Sequence, residues 1–149
     1  MLLVSGILGS CGTTPPKEVQ LIDFSSLELQ QRDLSHLVVN AFEKKQTPVL
    51  YFSATWCGPC QRFKRSLKTE QVSNVLENVT LIMIDVDKDY ISENFSAAYG
   101  VNEIPTFISV DATGKTLKKV TSAEWPDDTP EQIALVMQGF IGSYKIPSE

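Results

Sequence analysis

Two long apolar runs constrain the fold of this chain more than any other feature. Residues 49–52 read Val-Leu-Tyr-Phe without a polar interruption, and a second run occupies residues 79–86. A strand with one face in water alternates apolar and polar residues, whereas a strand buried on both faces reads as a continuous apolar run. The first run therefore predicts a strand in the middle of a sheet that is covered on both sides.

Helical and extended patterns alternate through the rest of the chain. Helices are predicted after each of the first three strands, and two further strands form a hairpin around the turn at residues 111–114. The predicted order is β-α-β-α-β-α-β-β-α, an α/β domain with a central mixed sheet flanked by helices. The predicted strands are residues 19–24, 48–54, 79–86, 106–110 and 117–121.

Three helical stripes and two helix ends support this order. Gly100 is expected to end the third helix, because glycine adopts the left-handed conformation of a helix cap. The last helix has Thr129 as its cap, Pro130 in its first position and Gln132 to complete a capping box. The apolar stripes are Leu34, Leu37, Val38, Ala41 and Phe42; Ile91, Phe95, Ala98 and Tyr99; and Ile133, Val136, Met137, Phe140 and Ile141.

Composition and charge exclude several classes of function. The net charge of −5 argues against a nucleic-acid partner, which would need clustered Lys and Arg. The only local excess, Arg62, Lys64 and Arg65, is read as the solvated face of a helix. The single histidine, His36, falls off its helix's apolar stripe and is predicted to be exposed and non-catalytic, which leaves a hydrolase without its usual base.

The first eighteen residues suggest export. Residues 1–10 are uncharged and resemble the apolar part of a secretory signal, and residues 8–11 (Leu-Gly-Ser-Cys) resemble the lipobox of bacterial lipoproteins. That resemblance implies lipid attachment to Cys11, a tether over residues 11–18, and a periplasmic domain over residues 19–149. The segment has no Lys or Arg near Met1, so a cytoplasmic protein with an unmodified Cys11 is the alternative.

The most specific motif is Cys57-Gly58-Pro59-Cys60, directly after the first buried run. Two cysteines separated by two residues face each other across one turn and can form a reversible disulfide. At a helix start, backbone N–H groups and the helix dipole stabilise the thiolate of Cys57, which predicts it as the nucleophile. Cys60, one turn inside, is predicted to resolve the mixed disulfide that Cys57 forms.

The residues between the two cysteines suit such a turn, because Gly58 permits a close turn and Pro59 lacks an N–H that would be unpaired there. The alternative is that the two cysteines form half of a zinc site, since the same spacing occurs in zinc knuckles. No second Cys pair exists and His36 is distant in sequence, so neither a metal nor another cofactor is predicted.

Residues 52–60 (Phe-Ser-Ala-Thr-Trp-Cys-Gly-Pro-Cys) resemble the active-site strand and turn of the thioredoxin family. Residues 101–107 (Val-Asn-Glu-Ile-Pro-Thr-Phe) are similar to the family's second conserved block, where a cis proline lies beside the Cys pair. The resemblance implies a thioredoxin fold, a cis Pro105, and a substrate-docking surface formed by Ile104 and Trp56. Trp125 has no such placement and is read as a packing residue.

The chain departs from the family pattern in the interior of the site. Thioredoxins keep a buried acid six residues before the first active-site Cys, where this chain has Tyr51. Met83 is expected at the position of the lysine that partners this acid in many thioredoxins. The absence of both the acid and its lysine partner is self-consistent, because either charge alone would be costly to bury. Tyr51 is therefore predicted to pack, and Cys60 to lose its proton to water or to a different carboxylate. Glu103 is either a solvated loop charge or a carboxylate that disfavours the Cys57 thiolate.

The resemblance implies reduction of disulfide-containing proteins outside the cytoplasm, because the Gly-Pro dipeptide is that of reducing thioredoxins. A reductase in an oxidising compartment needs electrons from inside the cell, and the chain has no flavin or nicotinamide fingerprint. A membrane thiol donor is therefore implied. The alternatives are a disulfide oxidase or isomerase and a redox-inactive binding module with the same fold.

Overall fold

The structure is a computed structural model that describes residues 15–142. The predicted leader at residues 1–10 and the predicted lipid-attachment residue Cys11 lie outside the described residues. So do residues 12–14 of the predicted tether and residues 143–149 of the predicted domain. Within residues 15–142, no helix is long and apolar enough to cross a membrane.

A five-stranded mixed sheet forms the centre of the fold within residues 15–142. Its strands are β1 (Gln20–Asp23), β2 (Thr47–Ser53), β3 (Val79–Asp85), β4 (Thr106–Val110) and β5 (Thr116–Thr121). Their spatial order is β1-β3-β2-β4-β5. β2 pairs in parallel with β3 and antiparallel with β4, and all seven of its residues are buried. The first apolar run therefore forms the central strand, as predicted.

In the described part of the chain, five α-helices cover the two faces of the sheet. One face carries α1 (Leu34–Glu43) and α4 (Tyr90–Ala98) over side chains such as Leu50, Phe52 and Ile82. The other carries α2 (Gly58–Ser66), α3 (Glu70–Val75) and α5 (Pro130–Gly142) over Val49 and Tyr51. Side chains of β2 point alternately to the two faces of the sheet, and helices cover both faces, which explains the continuous apolar run at residues 49–52.

The predicted element order is confirmed, with one addition. The helical pattern after the Cys pair forms two helices, α2 and α3, since the chain leaves the helix after Ser66 and restarts with Thr69 in the cap position. Gly100 follows α4 with φ of 61°, and Thr129 Oγ1 accepts from the Gln132 backbone N–H at the start of α5.

One predicted stripe is partly wrong. Ala98 of α4 is exposed, and the fully buried residue of that helix is Ser92. The hydroxyl of Ser92 lies 3.2 Å from that of Ser25 beneath the helix, so the two polar groups satisfy each other. A count of apolar residues does not detect a buried polar pair of this kind.

Candidate active site

Cys57 and Cys60 lie where the central strand gives way to α2. β2 ends at Ser53, and residues 54–57 then form a tight turn. A hydrogen bond of 3.3 Å from the Cys57 N–H to the Ala54 carbonyl closes this turn. Cys57 is the N-cap residue of α2 and Cys60 lies in its first turn. The two form a disulfide, with their Cα atoms 5.2 Å apart. This separation is within the usual range for disulfides, so the backbone need not move for the bond to form or open.

The two sulfurs have different environments. Cys60 is fully buried, whereas Cys57 is 3% exposed and is the only one of the two with access to a partner. The Cys60 N–H donates to Cys57 Sγ over 3.2 Å. This contact, at the positive end of α2, favours a negative charge on Cys57 once the disulfide opens.

The Ile104–Pro105 peptide bond is cis, as the resemblance to thioredoxins implies. It places the Ile104 carbonyl oxygen 3.7 Å from Cys57 Sγ. Within residues 15–142, the Ile104 backbone has no hydrogen-bond partner while the disulfide is closed, because a disulfide sulfur has no hydrogen to donate. An unpaired backbone segment beside the reactive sulfur is able to pair with an extended chain laid across it.

Trp56 is 70% exposed although it is a large aromatic residue. Its indole Nε1–H donates to Asp87 Oδ2 at 2.5 Å, which fixes the ring beside the Cys pair. The exposed indole and the Ile104 backbone therefore flank Cys57 on the surface.

Gly58 and Pro59 are the first two residues of α2. A Cβ atom at Gly58 would lie 3.2 Å from the guanidinium of Arg62.

Tyr51 fills the interior position beneath α2. Its side chain is fully buried, and its hydroxyl donates to the backbone carbonyl of Cys60 over 3.1 Å. Burial raises the pKa of Tyr51 to about 12. The phenol therefore stays protonated at neutral pH and cannot accept a proton. In the strand register, Tyr51 lies directly beside Met83, which places the two departures from the family pattern next to each other.

An aromatic cluster seals the region around Tyr51. The Tyr51 ring stacks on Phe107 with 4.8 Å between centroids and meets Phe63 edge-on at 5.0 Å. Trp125 is 4% exposed and stacks near Phe63, so its predicted packing role is confirmed. Its indole N–H donates to Asp128, which is also bound by Arg62 of α2.

The other candidate residues lie away from the disulfide or on the surface. His36 is exposed on α1, and its backbone N–H is capped by the Asp33 side chain. Glu103 is exposed two residues before the cis proline. Within the described part of the chain, no three His, Cys, Asp or Glu side chains are grouped closely enough to hold a metal ion.

A family model decides what kind of site this is. The model described as Thioredoxin matches residues 26–134, which is well over half of the chain and includes both cysteines. The chain belongs to the thioredoxin family. Thioredoxins are disulfide reductases, and the Cys57–Cys60 pair gives this member the same reactive group.

Relatives support this assignment over the same region. The thioredoxin of Borreliella burgdorferi is 30% identical over 101 residues, covering 67% of this chain and 80% of the relative. Thioredoxin-1 of Schizosaccharomyces pombe is 37% identical over 75 residues, covering 50% of this chain and 67% of the relative. A TPR repeat-containing thioredoxin of Arabidopsis thaliana is 33% identical, and this chain spans 18% of its length.

Solved structures share the fold. A poplar thioredoxin h has a TM-score of 0.58 at 20% identity, covering 86% of this chain and all of the other. A structure titled DsbH oxidoreductase has a TM-score of 0.57 at 14% identity, covering 79% of this chain and 83% of the other. At these identities the likeness concerns the fold alone.

Sequence reasoning missed two contacts of the site. Asp87 lies 31 residues beyond Trp56, and only the parallel pairing of β2 with β3 brings the ends of the two strands together. The acidic residues that follow β3 were a usable indication, because the carboxyl ends of parallel strands meet at one edge of a sheet. Nothing in the sequence indicates the bond from Tyr51 to the Cys60 carbonyl.

Proposed function

We propose that this thioredoxin reduces disulfides of proteins outside the cytoplasm, by a cycle in which Cys57 attacks and Cys60 resolves. The observation that carries the proposal is the Cys57–Cys60 disulfide at the start of α2, beside the cis Pro105. In the reduced protein the same pair holds two electrons that can pass to a partner.

The first step is attack by Cys57. Its thiolate forms a bond to one sulfur of the partner disulfide, and the other partner sulfur leaves as a thiolate. The difference in exposure supports this order, since Cys60 has no exposed surface. The N–H of Cys60 and the first turn of α2 stabilise the charge on Cys57 before it reacts.

The second step is resolution by Cys60. Its thiolate attacks Cys57 Sγ, the mixed disulfide breaks, and the second partner sulfur leaves. The intramolecular disulfide that results has the geometry of the bond present in the structure. The partner has then gained two electrons and the protein has lost two, so a thiol donor has to reduce it before the next cycle.

Partner docking is assigned to the surface around Cys57. The Ile104 backbone would pair with an extended segment of the substrate, and the exposed ring of Trp56 would cover an apolar side chain beside the target cysteine. A pairing of main chain with main chain suits many sequences, which is useful to a reductase with several protein substrates.

The site of action is proposed to be the periplasm, with the domain anchored through lipid on Cys11. This rests on the apolar residues 1–10 and on the lipobox-like residues 8–11. Electrons would come from a membrane thiol donor, because secreted proteins meet an oxidising environment.

Trapping tests the catalytic cycle. Cys60→Ser should accumulate a mixed disulfide with a disulfide-bonded protein such as insulin, and Cys57→Ser should accumulate none. With dithiothreitol as the electron source, the wild-type chain should reduce the protein while both variants stay inactive. Equal trapping by the two variants would contradict the assigned roles, and substrate binding that survives in Cys57→Ser without any reduction by the wild type would indicate a binding module.

Labelling tests the location. Cells that express the full chain and are fed radioactive palmitate should label the wild type and leave Cys11→Ser unlabelled. The labelled protein should fractionate with membranes. An unlabelled wild type in the cytoplasmic fraction would contradict export while leaving the redox cycle intact.

A further inference from the structure

A small polar pocket lies beside the active-site turn, on the face of the sheet that α2 covers. Its volume is about 160 Å³ and it is lined by residues at the carboxyl ends of β1, β2 and β3, by α2 and by the turn. One water occupies about 30 Å³ in the liquid, so the pocket has room for several.

Two buried polar atoms in this pocket have no hydrogen-bond partner among residues 15–142. They are Asp23 Oδ1 and Ser53 Oγ. Ser53 is 2% exposed, and the second oxygen of Asp23 accepts from Ser26 at 2.7 Å. Buried polar atoms are almost always paired, and water supplies the bond where protein does not. Water in the pocket would therefore satisfy both atoms.

The pocket reaches the environment of Cys60 by two routes. Ala54 lines it and also packs against Cys57 and Cys60. Ser53 lines it too, and the Ser53 hydroxyl neighbours the Tyr51 phenol, which is bonded to the Cys60 carbonyl. Asp23 therefore lines the same pocket as two residues that adjoin the surroundings of Cys60, although it lies 37 positions earlier in the sequence.

Asp23 also occupies a defined place relative to the position where thioredoxins carry an acid. Asp23 pairs with Met83, and Met83 pairs with Tyr51, so the three residues form one row across the sheet. At about 4.8 Å per strand, Asp23 lies roughly 10 Å from Tyr51. That distance is too long for a direct bond, so a link between the two positions would need intervening water.

We propose that water in this pocket carries the proton of the Cys60 thiol to the carboxylate of Asp23. This rests on the proposed function, since Cys60 must be deprotonated to resolve the mixed disulfide. The Cys60 S–H bond breaks, the proton moves through water to Asp23, and Cys60 Sγ bonds to Cys57 Sγ as the partner thiolate departs. Asp23 then returns the proton through solvent to that thiolate.

The other charged groups at the pocket are Lys64 on α2, Asp85 at the end of β3, and Lys88 just after it. The side chain of Asp85 already accepts from the Asp87 backbone N–H at 3.1 Å. Neither lysine forms an ion pair with a carboxylate of the described residues. Asp23 is thus the carboxylate of the pocket that has an uncommitted buried oxygen.

Rapid-mixing kinetics separate the two steps in full-length protein that carries Cys11→Ser. Asp23→Asn should slow resolution by Cys60 at least about a hundredfold at pH 7, the lower end of the range of general base catalysis. The rate should then rise with pH, because hydroxide replaces the lost acceptor. The attack by Cys57, measured in the Cys60→Ser background, should change less than about twofold. Glu28→Gln, an exposed carboxylate outside the pocket, is the control for the loss of one charge.

Ionisation of Cys60 gives a readout that does not depend on turnover. In the Cys57→Ser background, Asp23→Asn should lower the pH midpoint of Cys60 thiolate formation by at least about half a unit, because a nearby carboxylate disfavours a second negative charge. If Asp23→Asn does not fold, Ser53→Val fills the inner end of the pocket and should slow the same step.

Two results would overturn the proposal: a resolution rate within about twofold of wild type with the same pH profile, or a Cys60 midpoint that Asp23→Asn leaves unchanged. Failure of the wild-type protein to reduce any disulfide would instead contradict the proposed function. In that event the ionisation measurement still decides whether Asp23 is coupled to Cys60.

Discussion

Two regions beneath α2 differ sharply although they share one face of the sheet. The aromatic region around Tyr51 is buried, and both of its polar groups, the Tyr51 phenol and the Trp125 indole N–H, are hydrogen-bonded. The pocket around Ser53 begins two residues further along β2 and contains two buried oxygens without a partner in the described residues. The first region is packed and its polar groups are hydrogen-bonded, whereas the second contains a cavity and two oxygens that are unpaired within residues 15–142.

This difference suggests how a thioredoxin can dispense with the acid that the family keeps at the position of Tyr51. An aromatic ring there gains packing against Phe63 and Phe107 and needs no charged neighbour. The proposed proton acceptor lies instead on the edge strand β1, in a pocket that extends to the end of β2. Packing should therefore dominate the effect of substitutions in the first region, and proton transfer should dominate it in the second.

The largest effect is expected from Phe107→Ala. Phe107 is fully buried and its ring contacts Tyr51 and Phe63, so its loss leaves a cavity that costs about 3–5 kcal/mol of unfolding free energy. Chemical denaturation measures this. Leu117→Ala on β5, where the side chain is 50% exposed, is the control and should cost less than about 0.5 kcal/mol. A loss below about 1 kcal/mol at Phe107 would mean that the region is not tightly packed.

A smaller effect is expected from Asp128→Asn, and it should depend on pH. Burial acts to raise the pKa of Asp128, but hydrogen bonds from Trp125 and Arg62 hold it below its usual 3.8. A lowered pKa in the folded state stabilises the protein above the unfolded-state value, and this contribution is lost as the pH falls through the folded-state value. The variant should lose about 1–2 kcal/mol at pH 7.

Denaturation of the Asp128 variant and wild type at several pH values checks this. Their difference should shrink below about pH 4, where the carboxylate of the unfolded protein takes up a proton. A difference that stays constant into acid would show that the charge on Asp128 is not what stabilises the contact with Trp125.

Tyr51→Phe should have a still smaller effect. It removes the hydroxyl that donates to Cys60, which costs about 1 kcal/mol, and keeps the ring in place. Disulfide reduction should slow by less than about threefold, because a phenol with a pKa of about 12 is not a proton acceptor at neutral pH. A loss of about a hundredfold, typical of a missing acid–base group, would contradict the packing role.

The smallest change in stability is expected from Ser53→Ala. If water satisfies the Ser53 hydroxyl, its removal changes the unfolding free energy by less than about 0.5 kcal/mol. A hydroxyl buried without any partner would instead cost about 1–3 kcal/mol, and its removal would stabilise the protein by a comparable amount. The sign and size of this change therefore report directly on hydration of the pocket.

The contrast between the two regions also marks what the sequence could predict. Continuous apolar runs located β2 and β3, and the Cys57–Cys60 spacing after a buried strand located the disulfide. The contact between Tyr51 and Cys60 depends on how far the Tyr51 side chain extends from β2 to the backbone of α2. The neighbourhood of Asp23 and Ser53 arises from the sheet order, which inserts β3 between β1 and β2. Such neighbours are fixed by long-range pairing and leave no local pattern.

The reduction potential of the Cys57–Cys60 pair tests the central claim most directly. It is measured by equilibrating the protein with glutathione or dithiothreitol buffers and quantifying the oxidised fraction. A disulfide reductase requires a value on the order of −250 mV or lower, close to that of thioredoxin. A value near −150 mV would make the protein an oxidant or isomerase and would contradict the proposed direction of electron flow.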